Sequence, residues 1–97
     1  MLNSRQRAQL RGMANSLDPI FQIGKGGIGE QLIKQVNEAL EARELIKLTV
    51  LETSPERARQ CADKVSMATN SDVVQVIGSK FILYKQSRDH KTIVLCK

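Results

Sequence analysis

The sequence predicts a single α/β domain of 97 residues, with elements in the order α-β-α-β-α-β-β and a four-stranded mixed sheet on which the helices pack. Three observations lead there. Apolar residues recur at helical spacing in three separate segments. Four short runs rich in β-branched residues alternate with or follow those segments. The last two runs, Asp72 to Ile77 and Lys80 to Tyr84, are separated only by Gly78-Ser79, which makes them a hairpin. The strand-helix-strand connections should be right-handed, placing the second and third helices on the same face of the sheet.

The first helix runs from about Asn3 to Leu17, capped by Asn3 or Ser4 and ended by Asp18-Pro19. Leu10, Met13, Ala14 and Leu17 form its apolar stripe, and Arg7 and Arg11 share another face. Ile20 to Ile23 is a short strand. The second helix, from Ile28 to Arg43, is carried by Ile28, Leu32, Ile33, Val36, Ala39 and Leu40. Leu45 to Leu51 reads as a strand. Ser54-Pro55-Glu56 supplies a cap, a first-position proline and an acid for the third helix, whose apolar face is Ala58, Cys61, Ala62, Val65 and Ala68. Asn70-Ser71 ends it, and Thr92 to Leu95 could add a last short strand.

Composition bounds the function. Apolar content of 41% and charge of 26% are globular values, so the chain is expected to fold as one domain over residues 1–97. No run of about 18 apolar residues is present, so no membrane association is expected. The N-terminal segment lacks the apolar core of a secretory signal, and Cys61 and Cys96 form neither a C-x-x-C pair nor a disulfide scaffold, so a cytoplasmic monomer is the expectation. His90 stands apart from any Cys, Asp or Glu cluster, and no nucleophile has a paired base, so neither a metal, a cofactor nor catalysis is expected. The net charge is +5 and unevenly spread. Arg5, Arg7 and Arg11 precede any acid, and Lys80, Lys85, Arg88, Lys91 and Lys97 face only Asp89 after Gly78. Two basic ends around a mixed middle suit a polyanion.

The most informative stretch is Gly24-Lys25-Gly26-Gly27-Ile28-Gly29, lying between a strand and a helix. A glycine-rich turn there presents bare N–H groups at a helix N-terminus, which is a phosphate-binding arrangement. Gly24, Gly26 and Gly29 match G-x-G-x-x-G literally, but a dinucleotide site needs two nucleotide-binding halves and 97 residues hold barely one. A P-loop fails because Gly29 is followed by Glu30-Gln31 rather than lysine and a hydroxyl. Gly24 to Gly27 also match G-x-x-G, the loop with which KH domains clamp a nucleic-acid backbone. The candidate contacts are therefore Gly24, Lys25, Gly26, Gly27, Ile28 and Gly29, with Arg5, Arg7, Arg11 and Lys80 as basic neighbours. Arg7 and Arg11 are expected to lie beside the loop and to straddle one strand with Lys25. The alternative is a small protein-interaction module whose glycines serve only the turn. Phe21, Phe81 and Tyr84 are the only aromatics, too few for a stacking platform, so binding should lean on phosphate, ribose and shape.

These residues resemble the CRM (chloroplast RNA splicing and ribosome maturation) domain in its stand-alone bacterial, YhbY-like form. The resemblance rests on Pro19 through Gly29, on Glu38-Ala-Leu-Glu-Ala-Arg-Glu-Leu-Ile-Lys47, on Gln75-Val-Ile-Gly78 and on Leu83-Tyr-Lys85. It implies a fold related to the C-terminal domain of translation initiation factor three. It also implies RNA binding through the glycine loop and a role in assembly of the large ribosomal subunit, with ribosomal RNA in its precursors as partner.

Overall fold

Alternation along the strands decides how the layers form. In the computed structural model, which describes residues 2–96, the elements are α1 (Ser4–Ala14), β1 (Phe21–Ile23), α2 (Glu30–Arg43), β2 (Leu45–Val50), α3 (Ala58–Thr69), β3 (Asp72–Ile77) and β4 (Lys80–Tyr84). Lys97, counted above in the basic C-terminal end, lies outside the described residues. The strands form one mixed sheet in the order β1-β2-β4-β3. β1 is parallel to β2, with Ile23 opposite Val50; β4 is antiparallel to both its neighbours.

On one face Ile46, Leu48, Val50, Phe81 and Leu83 meet Val36 and Leu40 of α2 and Cys61, Ala62 and Val65 of α3. The second and third helices therefore share a face, as expected. On the other face Leu45, Val74, Ile82 and Tyr84 meet Leu10 and Ala14 of α1, with Ile93 and Leu95 of the C-terminal segment packed alongside. The result is three layers, with the period-2 strand pattern dividing one sheet between two cores. Burial raises the pKa of the Cys61 thiol, in keeping with its place in the core.

Beside one-residue shifts at β1, which starts at Phe21 rather than Ile20, and β2, which ends at Val50 rather than Leu51, four larger differences from the sequence expectation have local reasons. α1 ends at Ala14, not Leu17: the Ser16 hydroxyl donates to the Met13 carbonyl and Leu17 N–H to that of Ala14, which turns the chain toward β1. Met13 is exposed and leaves the docking stripe to Leu10 and Ala14. α2 starts at Glu30, because the residues before it form the loop. α3 starts at Ala58, not at Ser54-Pro55: the Ser54 hydroxyl is engaged with the Glu56 N–H and carbonyl in a tight turn of its own, and Gln60 Oε1 accepts from Arg57 N–H at 3.1 Å. Asn70, in the left-handed region, ends α3 as expected.

The fourth difference is the C-terminal segment. Thr92 to Leu95 takes no regular secondary structure and joins no strand. Its backbone is held by side chains. The buried Glu44 carboxylate accepts from the N–H groups of Ser87 (2.8 Å), Thr92 (2.7 Å) and Ile93 (2.9 Å). Glu41 accepts from the Ser87 hydroxyl and from the N–H groups of Arg88 and Asp89. Gln6 and Gln9 of α1 bond the backbone of Val94 and Cys96.

Candidate functional site

The glycine loop sits where three connections meet. Because β1 and β2 are parallel, the β1–α2 loop and the β2–α3 loop leave the sheet at the same end. The β3–β4 turn reaches that end too, since Lys80 lies opposite Thr49 and Val50 N–H donates to the Ser79 carbonyl at 2.6 Å. Two helix N-termini, those of α2 and α3, therefore point to one end of the molecule.

Within the loop the glycines play different parts. Gly24 to Gly27 is a closed turn, with Gly27 N–H donating to the Gly24 carbonyl at 2.9 Å. Gly27 has φ +66°, and a Cβ there would lie 3.3 Å from Pro55, so its glycine is required by the backbone. Gly26 is the opposite case. Its φ is ordinary, it is exposed, and a Cβ would meet nothing within 4 Å. The fold itself does not demand glycine at that position. Lys25 is exposed at the tip.

Behind the turn, α2 begins on Gly29 with no side-chain cap. α1 is different: Asn3 Oδ1 accepts from Gln6 N–H at 2.8 Å, and Gln6 Oε1 accepts from Asn3 N–H at 3.1 Å. The exposed first turn of α2 thus keeps its positive dipole end and its N–H groups for water or a ligand. The ion pairs among the described residues are Arg59–Asp63, Lys64–Glu56 and His90–Glu41, so Lys25, Arg57 and Lys80 are not neutralised by pairing. This is an exposed, amide-rich surface that carries Lys25, Arg57 and Lys80 together with the carboxylates of Glu30 and Glu52 and, among the described residues, has no cluster able to hold a metal.

The structure gathers Gly24 to Gly29 and Lys80 at this end, but it does not bring the α1 arginines there. α1 packs on β2 and β3, on the opposite face from α2 and α3. Arg7 Nη1 donates to the Val73 carbonyl on β3, three strand positions from β1, or roughly 14 Å at ordinary spacing. The expected line through Arg7, Arg11 and Lys25 is thus not formed. Arg7 and Arg11 flank the helix interface half-buried, and Arg5 is exposed on the same layer. Lys85, Arg88 and Lys91 follow β4 at the other end, near the C-terminus of α2. Sequence reasoning also missed Arg57, whose Nη2 donates to the Ser54 carbonyl at 3.0 Å. It falls inside an expected helix start, and only the parallel β1–β2 pairing reveals that it shares the glycine end.

Arg7 therefore belongs to the fold. Replacing it with Ala removes a charged donor from an edge-strand carbonyl, and is expected to cost about 1 kcal/mol after allowance for its partial exposure. Thermal melts should show a fall of about 4–8 °C.

Fold and site together define a small α/β domain with an exposed glycine turn between an edge strand and an uncapped helix. The chain belongs to the CRS1 / YhbY (CRM) domain family, whose model matches residues 2–85. It is 46% identical over 95 residues to the Probable RNA-binding protein YqeI of Bacillus subtilis, covering 98% of this chain and 99% of that one. It is 30% identical over 90 residues to a protein named RNA-binding protein from Haemophilus influenzae, covering 93% and 91%. The solution structure of the hypothetical protein SAV1595 from Staphylococcus aureus superposes with a TM-score of 0.82 at 48% identity, covering 99% of this chain and all of the other. These relatives are named for binding, not for catalysis. No helix among the described residues is long and apolar enough to cross a membrane.

Proposed function

We propose that this protein binds RNA by seating a phosphate of the backbone on the Gly24–Gly29 turn, and that it does so within precursors of the large ribosomal subunit as a cytoplasmic monomer. The observation that carries the reading is the exposed, uncapped N-terminus of α2 behind Lys25-Gly26, where the fold leaves N–H groups and a cation free. A phosphate oxygen accepts from such groups without needing a particular base. Lys80 and Arg57 add charge on the same end. The names of the relatives support RNA as the ligand, and the CRM resemblance supports the ribosomal setting.

A purely structural turn accounts for Gly27 but leaves Gly26 unexplained. A dinucleotide site is disfavoured because β1 is a three-residue edge strand of a mixed sheet. Ultraviolet crosslinking in cells tests the reading. Sequencing of the attached RNA is expected to return large-subunit ribosomal RNA, and the crosslinked peptide is expected to include Lys25 to Gly29. Crosslinks confined to α1 or to residues 85–96 would contradict the site, and reads without ribosomal RNA would contradict the setting.

A further inference from the structure

A hollow of about 170 Å³ opens beside the glycine loop, between the β2–α3 loop and the β3–β4 turn, lined by Leu51, Glu52, Arg57, Ala58, Gly78 and Ser79. Its position relative to the loop is fixed. Leu51 N–H donates to the Ile23 carbonyl at 2.8 Å, and Leu51 Cδ1 lies 3.4 Å from where a Gly24 Cβ would be. One side chain is thus a wall of both the loop and the hollow. The Val50–Ser79 hydrogen bond holds the opposite rim.

We propose that this hollow takes one unstacked nucleobase of the RNA strand held on the glycine loop, and that it favours guanine. The inference rests on the RNA reading above and deepens it. The chemistry of the lining supports it in three ways. Leu51 and Ala58 supply an apolar wall in a site without aromatics. The Arg57 guanidinium, steadied by its bond to Ser54, offers a planar cation against which a base stacks. Glu52 offers a carboxylate that only accepts hydrogen bonds and forms no ion pair with Arg57 or with any other described residue. Two carboxylate oxygens match guanine, whose N1–H and N2 amino group are adjacent donors on the Watson–Crick edge. Adenine and cytosine place a ring-nitrogen acceptor beside their single amino group, and uracil flanks its one N–H with two carbonyls. A base read on that edge must be unpaired, so the partner is a loop, bulge or single strand.

The test compares binding of the full chain to heptauridylate and to the same heptamer with a central guanosine or adenosine, by fluorescence anisotropy at low salt. The guanosine heptamer is expected to bind about fivefold or more tightly than the other two, the lower range for a bidentate base contact. Glu52→Gln, an exposed substitution whose folding is checked by thermal melting, is expected to abolish the guanosine preference and bring the three affinities together. Equal wild-type affinities, preference for adenosine, or a full guanosine preference in Glu52→Gln would each overturn the pocket. Equal binding that remains salt-dependent would leave the loop reading standing; failure of every heptamer to bind would remove both.

Discussion

Gly26→Asp is expected to reduce RNA affinity by tenfold or more while the protein melts within a few degrees of wild type. The two halves have separate causes. The site is open, with no atom within 4 Å of the added Cβ and no positive φ, so the fold accommodates a side chain. The new carboxylate stands beside the N–H groups proposed to receive the phosphate, where two like charges about 4 Å apart repel by about 1 to 4 kcal/mol between water and a protein surface. Fluorescence anisotropy with calorimetric melts measures both. Gly27→Asp is a poorer probe, since φ +66° and the contact with Pro55 make it a folding variant as well. Unchanged affinity in folded Gly26→Asp would remove the loop from the interface.

The second large effect concerns Glu44. This residue is fully buried, has φ +67°, and gathers three backbone N–H groups and the Thr92 hydroxyl. Burial by itself would raise its pKa, but these donors outweigh it and hold the carboxyl below the ordinary value. Glu44→Ala leaves the donors without an acceptor and frees the C-terminal segment. The expected loss is about 2–4 kcal/mol, a large part of the stability of a domain this size.

The pH dependence follows in sign. A carboxyl whose pKa is lower folded than unfolded stabilises fully above its unfolded value, about 4.3. That stability is lost as pH falls through the folded value. Glu41, held at about 2 chiefly by the Ser87 hydroxyl and then the Arg88 and Asp89 amides, acts in the same direction. Stability should therefore decline from about pH 4.5 down toward 2. Glu44→Gln should be less stable at neutral pH, because its NH₂ replaces one of the two accepting oxygens, and less sensitive to acid. Denaturant titrations at several pH values check this; a parallel decline in wild type and Glu44→Gln would contradict it.

Much of this molecule is legible in its sequence because strong local patterns coincide with tertiary roles. The valine-rich run ending at Gly78-Ser79 gives β3 and β4 with their observed limits. The apolar spacing of Val36 and Leu40 gives α2 its buried face, and the glycine loop announces itself by residue type. What escapes notice depends on long-range placement. Nothing in residue type or spacing marks Glu41 and Glu44 as anchors; only the folding of residues 85–96 over them does. Arg7 and Arg11 look like a free basic row until Arg7 meets the Val73 carbonyl of β3. Arg57 and Lys80 come to the glycine end only because β2 runs parallel to β1 and antiparallel to β4.

The central claim is that phosphate is held on the Gly24–Gly29 turn, and a salt titration of wild type and Gly26→Asp on one single-stranded RNA tests it most directly. With Lys25 and Lys80 each meeting a phosphate, log affinity against log salt should fall with a slope of roughly −1.4. Gly26→Asp should give a line that is lower and shallower by about 0.7, the value for one lost phosphate. Two superimposable lines, in proteins of equal thermal stability, would contradict the account.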